Sequence, residues 1–182
     1  MNIKKTKSYR IALVGVFSAA AITLSFLESL IPVSPFMPPG AKAGFSNIAT
    51  MFIASSMGFL PAMAVTLVKA VFVLLTRGAT AFFMSLSGGV LSTAAMFLLF
   101  KFTKAGYIEI GIISALAHNF GQLITAAVIV YNISIIGYIP VLLISALVTG
   151  AITGAILRSV MPRLKNITNF TKKREENKCN LK

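Results

Sequence analysis

Apolar residues run along this chain in long blocks, separated by short polar or Pro/Gly breaks. The first block extends from about Arg10 to Ile31, long enough for a membrane-crossing helix, which takes about 20 residues. Pro32 to Gly44 holds Pro32, Pro35, Pro38, Pro39, Gly40 and Gly44, a composition that breaks helices and sets turns. A second block, about Phe45 to Leu60, is short for a span, so it either tilts little or begins inside the protein. Pro61 opens a third block, since proline is tolerated in a first helical turn, and that block ends near Thr76. Blocks four, five and six run about Ala81–Phe102, Ile108–Tyr131 and Ile135–Val160. Ser18-Ala19-Ala20-Ala21 resembles a cleavage region, but the apolar run continues past it and more spans follow, so block one is read as a retained helix. The pattern predicts an all-α, polytopic membrane protein. A six-transmembrane-helix bundle over residues 10–160 lies between a basic N-terminal tail, 1–9, and a basic C-terminal tail, 161–182, expected to fray.

Composition agrees. Of the 182 residues, 57% are hydrophobic and 12% charged, whereas a soluble domain carries roughly a quarter charged residues. A net charge of +13 taken alone points to nucleic acid, but its distribution does not. Lys4, Lys5, Lys7 and Arg10 precede the first block, Lys101 and Lys104 lie between blocks four and five, and eight basic residues follow from Arg158. With the N-terminus cytoplasmic, 14 of the 17 basic residues fall on the inner side, as the positive-inside rule and attraction to anionic lipid require. Both termini are therefore placed in the cytoplasm, with the chain in the cell membrane and no nucleic-acid partner. Cys179 is the only cysteine, so no internal disulfide is possible.

Three cations remain for the outer half: Lys42 in the Pro/Gly loop, then Lys69 and Arg77, eight residues apart and on one helical face with Thr66 and Val73. An ammonium inside a span needs a partner or water. Two readings of Lys69 stand side by side: a structural pair with Glu28, or one of three cations that draw in an anionic ligand. Block five carries a polar stripe of Ser114, His118, Gln122 and Thr125, with Asn119 at its edge. Such a stripe hydrogen-bonds neighbouring helices or lines a cavity, and one histidine with two amides favours the cavity. Small-residue pairs (Gly150 and Gly154; Ser85, Gly88, Gly89 and Ser92; Gly15 and Ala19 with Ala12) mark close helix contacts or a docking surface. The acidic residues are Glu28, Glu109, Glu175 and Glu176, and there is no Asp. That leaves no magnesium-binding Asp pair and no Ser-His-Asp triad. The chain also has no phosphate-gripping loop and too few ligands for a metal site. An enzyme is disfavoured, and no cofactor is expected.

Pro39-Gly40-Ala41-Lys42-Ala43-Gly44-Phe45-Ser46-Asn47 resembles the Pro-Gly-x-Lys-x-Gly-x-x-Asn signature of the Gx transporter family. Ser85-Leu86-Ser87-Gly88-Gly89 and Ala117-His118-Asn119-Phe120-Gly121-Gln122 are similar to two further blocks of that family. Members resemble the substrate-binding S components of energy-coupling factor (ECF) transporters. That resemblance implies a six-helix bundle taking a small vitamin or cofactor precursor from outside. A separate transmembrane coupling subunit and two ATPases would then drive release inside by toppling the bundle. It also implies docking through small residues of the first helix, here Ala12, Gly15 and Ala19, in a pattern that departs from an unbroken Ala-xxx-Ala. The candidate substrate-binding set is Lys42, Asn47, Lys69, Arg77, Ser85, His118, Asn119 and Gln122. Members are also labelled heptaprenyl diphosphate synthase component I. The alternative is thus a non-catalytic membrane accessory of that synthase in isoprenoid or menaquinone synthesis, because chain elongation itself relies on Asp-rich magnesium sites.

Overall fold

The computed structural model of the chain describes residues 3–30, 44–131 and 137–179, with side chains described at Ser8, over 10–30, and onward to Pro162. The described elements are all helical: α1 (Ile3–Leu30), α2 (Asn47–Met57), α3 (Phe59–Phe102), α4 (Tyr107–Val130) and α5 (Ile139–Cys179). All but α2 are long and apolar enough to cross a membrane. Their outward faces carry large apolar side chains, with Leu60 78%, Leu75 80%, Val128 63% and Ile144 64% exposed. Lipid tails cover such a surface as well as another protein would, and this is a membrane protein.

The sequence pattern separates blocks three and four, yet a single element, α3, covers both. At 44 residues a straight helix would reach about 66 Å, twice the ~30 Å hydrocarbon thickness. It is not straight. Gly78 leaves the helix at φ 84°, ψ −178°, a backbone conformation only glycine adopts without strain. The Thr66 and Thr93 hydroxyls are 2.8 Å apart, although a straight helix would hold these residues about 40 Å from each other. The helix therefore doubles back at Gly78 into two arms, 59–77 and 79–102. The expected break between Thr76 and Ala81 narrows to a single residue.

Four of the described helices are long enough to cross a membrane, α3 as two arms, while the block expected as span two is the eleven-residue α2, so the described helices do not confirm six full spans. About 16 Å of helix falls short of the membrane, and α2 instead starts inside the protein. Asn47, Ala49, Thr50, Met51, Phe52, Ile53 and Ala54 are all buried, and Phe52 stacks on Phe17 of α1 at 4.2 Å. Gly58, at φ 92°, separates α2 from α3, and Pro61 sits in the first turn of α3 as expected. A second correction concerns the C-terminal end. The segment after Met161, expected to fray, continues α5 through Pro162 to Cys179. Lys, Arg and Glu are good helix formers, and the preceding membrane helix supplies the costly nucleus.

The core lies where α1, α2 and both arms of α3 meet, around Ala21, Ile53, Ala62, Val65 and Met96. Glycines bring the remaining backbones together. A Cβ on Gly150 of α5 would stand 2.6 Å from Ile112 Cα of α4, and one on Gly121 of α4 would stand 2.8 Å from Gly88 Cα of α3. Gly15 has nothing within 4 Å of such an atom and faces outward.

Candidate functional site: a closed polar cavity

Ser25 and Glu28 lie three residues apart on one face of the last turns of α1. The Glu28 carboxylate is buried, and its Oε1 accepts the backbone N–H groups of Gly44 and, at 2.8 Å, Phe45. A carboxylate so placed satisfies orphan donors just ahead of α2. Gly44 has φ +94°, and a Cβ there would sit 3.6 Å from His118 Cδ2. The end of the Pro/Gly loop thus lies on the α4 histidine.

Lys69, on the first arm of α3, is 2% exposed. Its Nζ donates to Ser46 Oγ at 3.3 Å and to Asn47 Oδ1 at 3.2 Å. The pairing with Glu28 considered from sequence is not a contact. Glu28 holds the backbone at 44–45, Lys69 holds the side chains at 46–47, and the two charges attract through space. Arg77, two turns further along, is half-buried and also feels Glu28.

His118 and Gln122, one turn apart on α4 and each 3% exposed, form another wall, with His118 Nε2 and Gln122 Nε2 2.8 Å apart. Which of the two nitrogens donates follows the His118 tautomer, and Nδ1 lies against Gly88 with no hydrogen-bond partner among the described residues. The space these groups enclose, completed by Val73, Ala81 and Ser85, is about 10 Å³. By the same measure one water needs roughly 10–15 Å³, so the cavity is closed around water-sized space. A larger guest needs the 44–47 segment to move.

Of the residues proposed from sequence, Lys69, Arg77, Ser85, His118 and Gln122 line this cavity together, and Asn47 stands beside it as an acceptor for Lys69. Asn119 does not line it. One residue on from His118 the helix has turned by about 100°, and Asn119 Nδ2 donates instead to Leu142 O (2.9 Å) and Ser145 Oγ (3.1 Å) of α5. The rest of the stripe also serves packing: Ser114 bonds within its own helix, and Thr125 bonds Ser87 at 2.6 Å. Lys42 lies outside the described residues. Sequence reasoning missed Ser25, Ser46 and the loop-holding role of Glu28. A signal was present in Ser25 and Glu28, spaced three apart just before the Pro/Gly loop. Ala12, Gly15 and Ala19 are exposed on α1, beside Ile11 and Val16.

The profile of one family covers residues 17–160 of the chain, the membrane body apart from the first seven residues of its first span, with every described cavity residue inside it. The chain belongs to the heptaprenyl diphosphate synthase component I family. This family also carries the Gx transporter label, in agreement with the motif resemblance. Its name denotes a component of a synthase and does not by itself assign catalysis to this chain. No curated protein and no solved structure matches the chain.

Proposed function

We propose that the chain is the membrane substrate-binding component of an importer, working with a separate coupling subunit and ATPases in the manner of ECF S components. The observation that carries this reading is the cavity. A buried Lys69, Glu28, His118 and Gln122 converge on one enclosed space in a body otherwise covered with apolar side chains. Buried ionisable groups in a membrane protein are costly and mark ligand or ion sites by default. The two arms of α3, counted with α1, α2, α4 and α5, give the six helical segments such a bundle would have. With the N-terminus cytoplasmic, the Gly78 turn faces outside, so Arg77 and the 44–47 segment lie toward the side from which a small vitamin or cofactor precursor would arrive. The exposed Ala12, Gly15 and Ala19 offer the coupling subunit a surface that a second helix can approach closely. The test is mass spectrometry of small molecules released from protein purified out of native membranes, together with binding to Lys69→Ala and His118→Ala variants. Unaltered affinity in both variants would remove the cavity from the reading. In the same preparations Gly15→Leu should leave the bundle folded while releasing ATPase subunits from the eluate.

The family name supports a second reading, a non-catalytic membrane partner of a prenyl diphosphate synthase. An apolar groove of about 510 Å³ between α4 and α5, lined by Ile113, Leu116, Phe120, Leu123, Leu142 and Leu143, suits an apolar chain better than a polar nutrient. Affinity purification separates the readings. Co-eluting ATPases support the importer; a soluble prenyl synthase without ATPases supports the accessory.

A further inference from the structure

The cavity's charges and spare hydrogen-bonding groups narrow what it can hold, and this step rests on the ligand-binding reading above. Among the described residues two cations, Lys69 and Arg77, and one carboxylate, Glu28, face the space, which with His118 neutral leaves one positive charge in surplus. The Lys69 ammonium has three donors and spends two of them, on Ser46 and Asn47. Arg77 presents a planar fork of donors suited to a carboxylate, and no hydrogen bond ties it to a described residue. On the opposite side, Glu28 is 7% exposed and its Oε1 serves the backbone at 44–45, while its Oε2 is buried with no hydrogen-bond partner among the described residues. A buried carboxylate oxygen left without a donor is rare and calls for an explanation.

A plain anion would satisfy Arg77 and Lys69 but set its negative charge against Glu28 Oε2. A plain cation would satisfy Glu28 and meet two positive charges. Only a molecule bearing both kinds of group suits both ends. We infer that the cavity takes a small zwitterion, its carboxylate held by Arg77 and Lys69, its protonated or N–H-bearing nitrogen donating to Glu28 Oε2. Ser85, which also lines the space and makes no hydrogen bond to a described residue, adds a hydroxyl for a further polar group. Because the closed cavity holds only about one water, the carboxylate enters by displacing Ser46 and Asn47 from Lys69. The 44–47 segment moves as the ligand takes over its contacts.

The experiment uses the full chain in lipid nanodiscs, incubated with a deproteinised small-molecule extract of the native cells, washed and denatured. Released molecules are identified by mass spectrometry and by retention on both cation and anion exchangers. Wild type, Glu28→Gln and Arg77→Gln are compared, each checked for monodisperse elution and helical circular dichroism. The expected result is enrichment of a molecule with both a carboxylate and a protonatable or N–H nitrogen, lowered about tenfold or more in each variant, the loss that one charge-assisted contact produces. An enriched anion lacking any N–H, or a Glu28→Gln variant that captures as much as wild type, overturns the zwitterion and leaves the binding reading standing. No enrichment over empty nanodiscs overturns the binding reading itself, and this inference with it. Should Glu28→Gln not fold, the chemistry of the molecule captured by wild type still decides.

Discussion

Gly88→Ala is the sharpest test of how the cavity wall is built. A Cβ on Gly88 would stand 2.7 Å from the His118 carbonyl oxygen and 2.9 Å from its Nδ1. Ordinary contact begins near 3.4 Å, so the first gap is short by about 0.7 Å. Turning the imidazole relieves the second contact but not the first, because the carbonyl belongs to the α4 backbone. The helix must shift by several tenths of an ångström and carry His118 and Gln122 with it. Overpacking of this kind costs about 1–3 kcal/mol, offset by up to about 1 kcal/mol from replacing a helical glycine. With the full offset the expected net loss is up to about 2 kcal/mol. Gly15→Ala supplies the contrast: nothing lies within 4 Å of its Cβ, so only the propensity gain of up to about 1 kcal/mol remains. The two changes are chemically identical and should differ in sign.

Denaturant titration in mixed micelles measures both free energies. His118 is the only histidine, so ¹⁵N-histidine labelling of protein carrying a non-histidine affinity tag reports one imidazole without further assignment. Its resonances should move in Gly88→Ala and stay in Gly15→Ala. If Gly88→Ala proves as stable as Gly15→Ala and leaves the imidazole unmoved, the close packing of α3 on α4 is not what positions His118.

Three further outcomes are expected. Lys69→Met takes the donor from Ser46 and Asn47 and the nearby positive charge from Glu28; removing one member of a buried charged set costs about 3–5 kcal/mol, readable in the same titration. Asn119→Ala loses two bonds to α5, worth about 0.6–1.7 kcal/mol each between membrane helices, and should lower stability without changing the capture of any cavity ligand. In a Cys179→Ser background, Thr80→Cys beside the Gly78 turn should react with an impermeant maleimide from outside the cell, and Lys104→Cys only after permeabilisation. The reverse labelling would invert the orientation argued from charge.

The alternation of apolar blocks and breaks told most of the fold, because helix length and hydropathy are what the membrane selects. What it could not tell was how sharply two helices join. Gly78 makes a one-residue reversal, and that depends on a single φ angle that leaves no mark on the surrounding composition. Nor could it tell that α2 is enclosed rather than spanning, since an apolar helix buried in protein and one facing lipid share the same residues. In the site, Lys69, His118 and Gln122 were legible because a polar side chain inside an apolar run stands out. Glu28 stood out too, but its partners are backbone N–H groups, which every residue carries, so no pattern in the chain announces them. Asn119 falls outside the cavity for a geometric reason: at the edge of the stripe it lies about 100° from His118 and bonds to α5.

The way the cavity is closed bears on how it opens. Glu28 and Lys69 sit on different helices, α1 and α3, and hold adjacent parts of one short segment: the amides of Gly44 and Phe45, and the side chains of Ser46 and Asn47. Breaking all four contacts with nothing in return would leave charged groups buried and unpaired, at about 1.5–3 kcal/mol each. Such a sum would keep the segment shut. Exchange avoids it. A ligand group that accepts from Lys69 as Ser46 and Asn47 leave keeps the ammonium satisfied, while Glu28 need not release the backbone, since its second oxygen is the one without a partner. On the binding reading proposed above, the segment would swing on the Glu28 contacts as a hinge while the Lys69 contacts are traded. One pair of latches would stay and the other be replaced, which would account for two oppositely charged residues bordering the same space without pairing directly with each other.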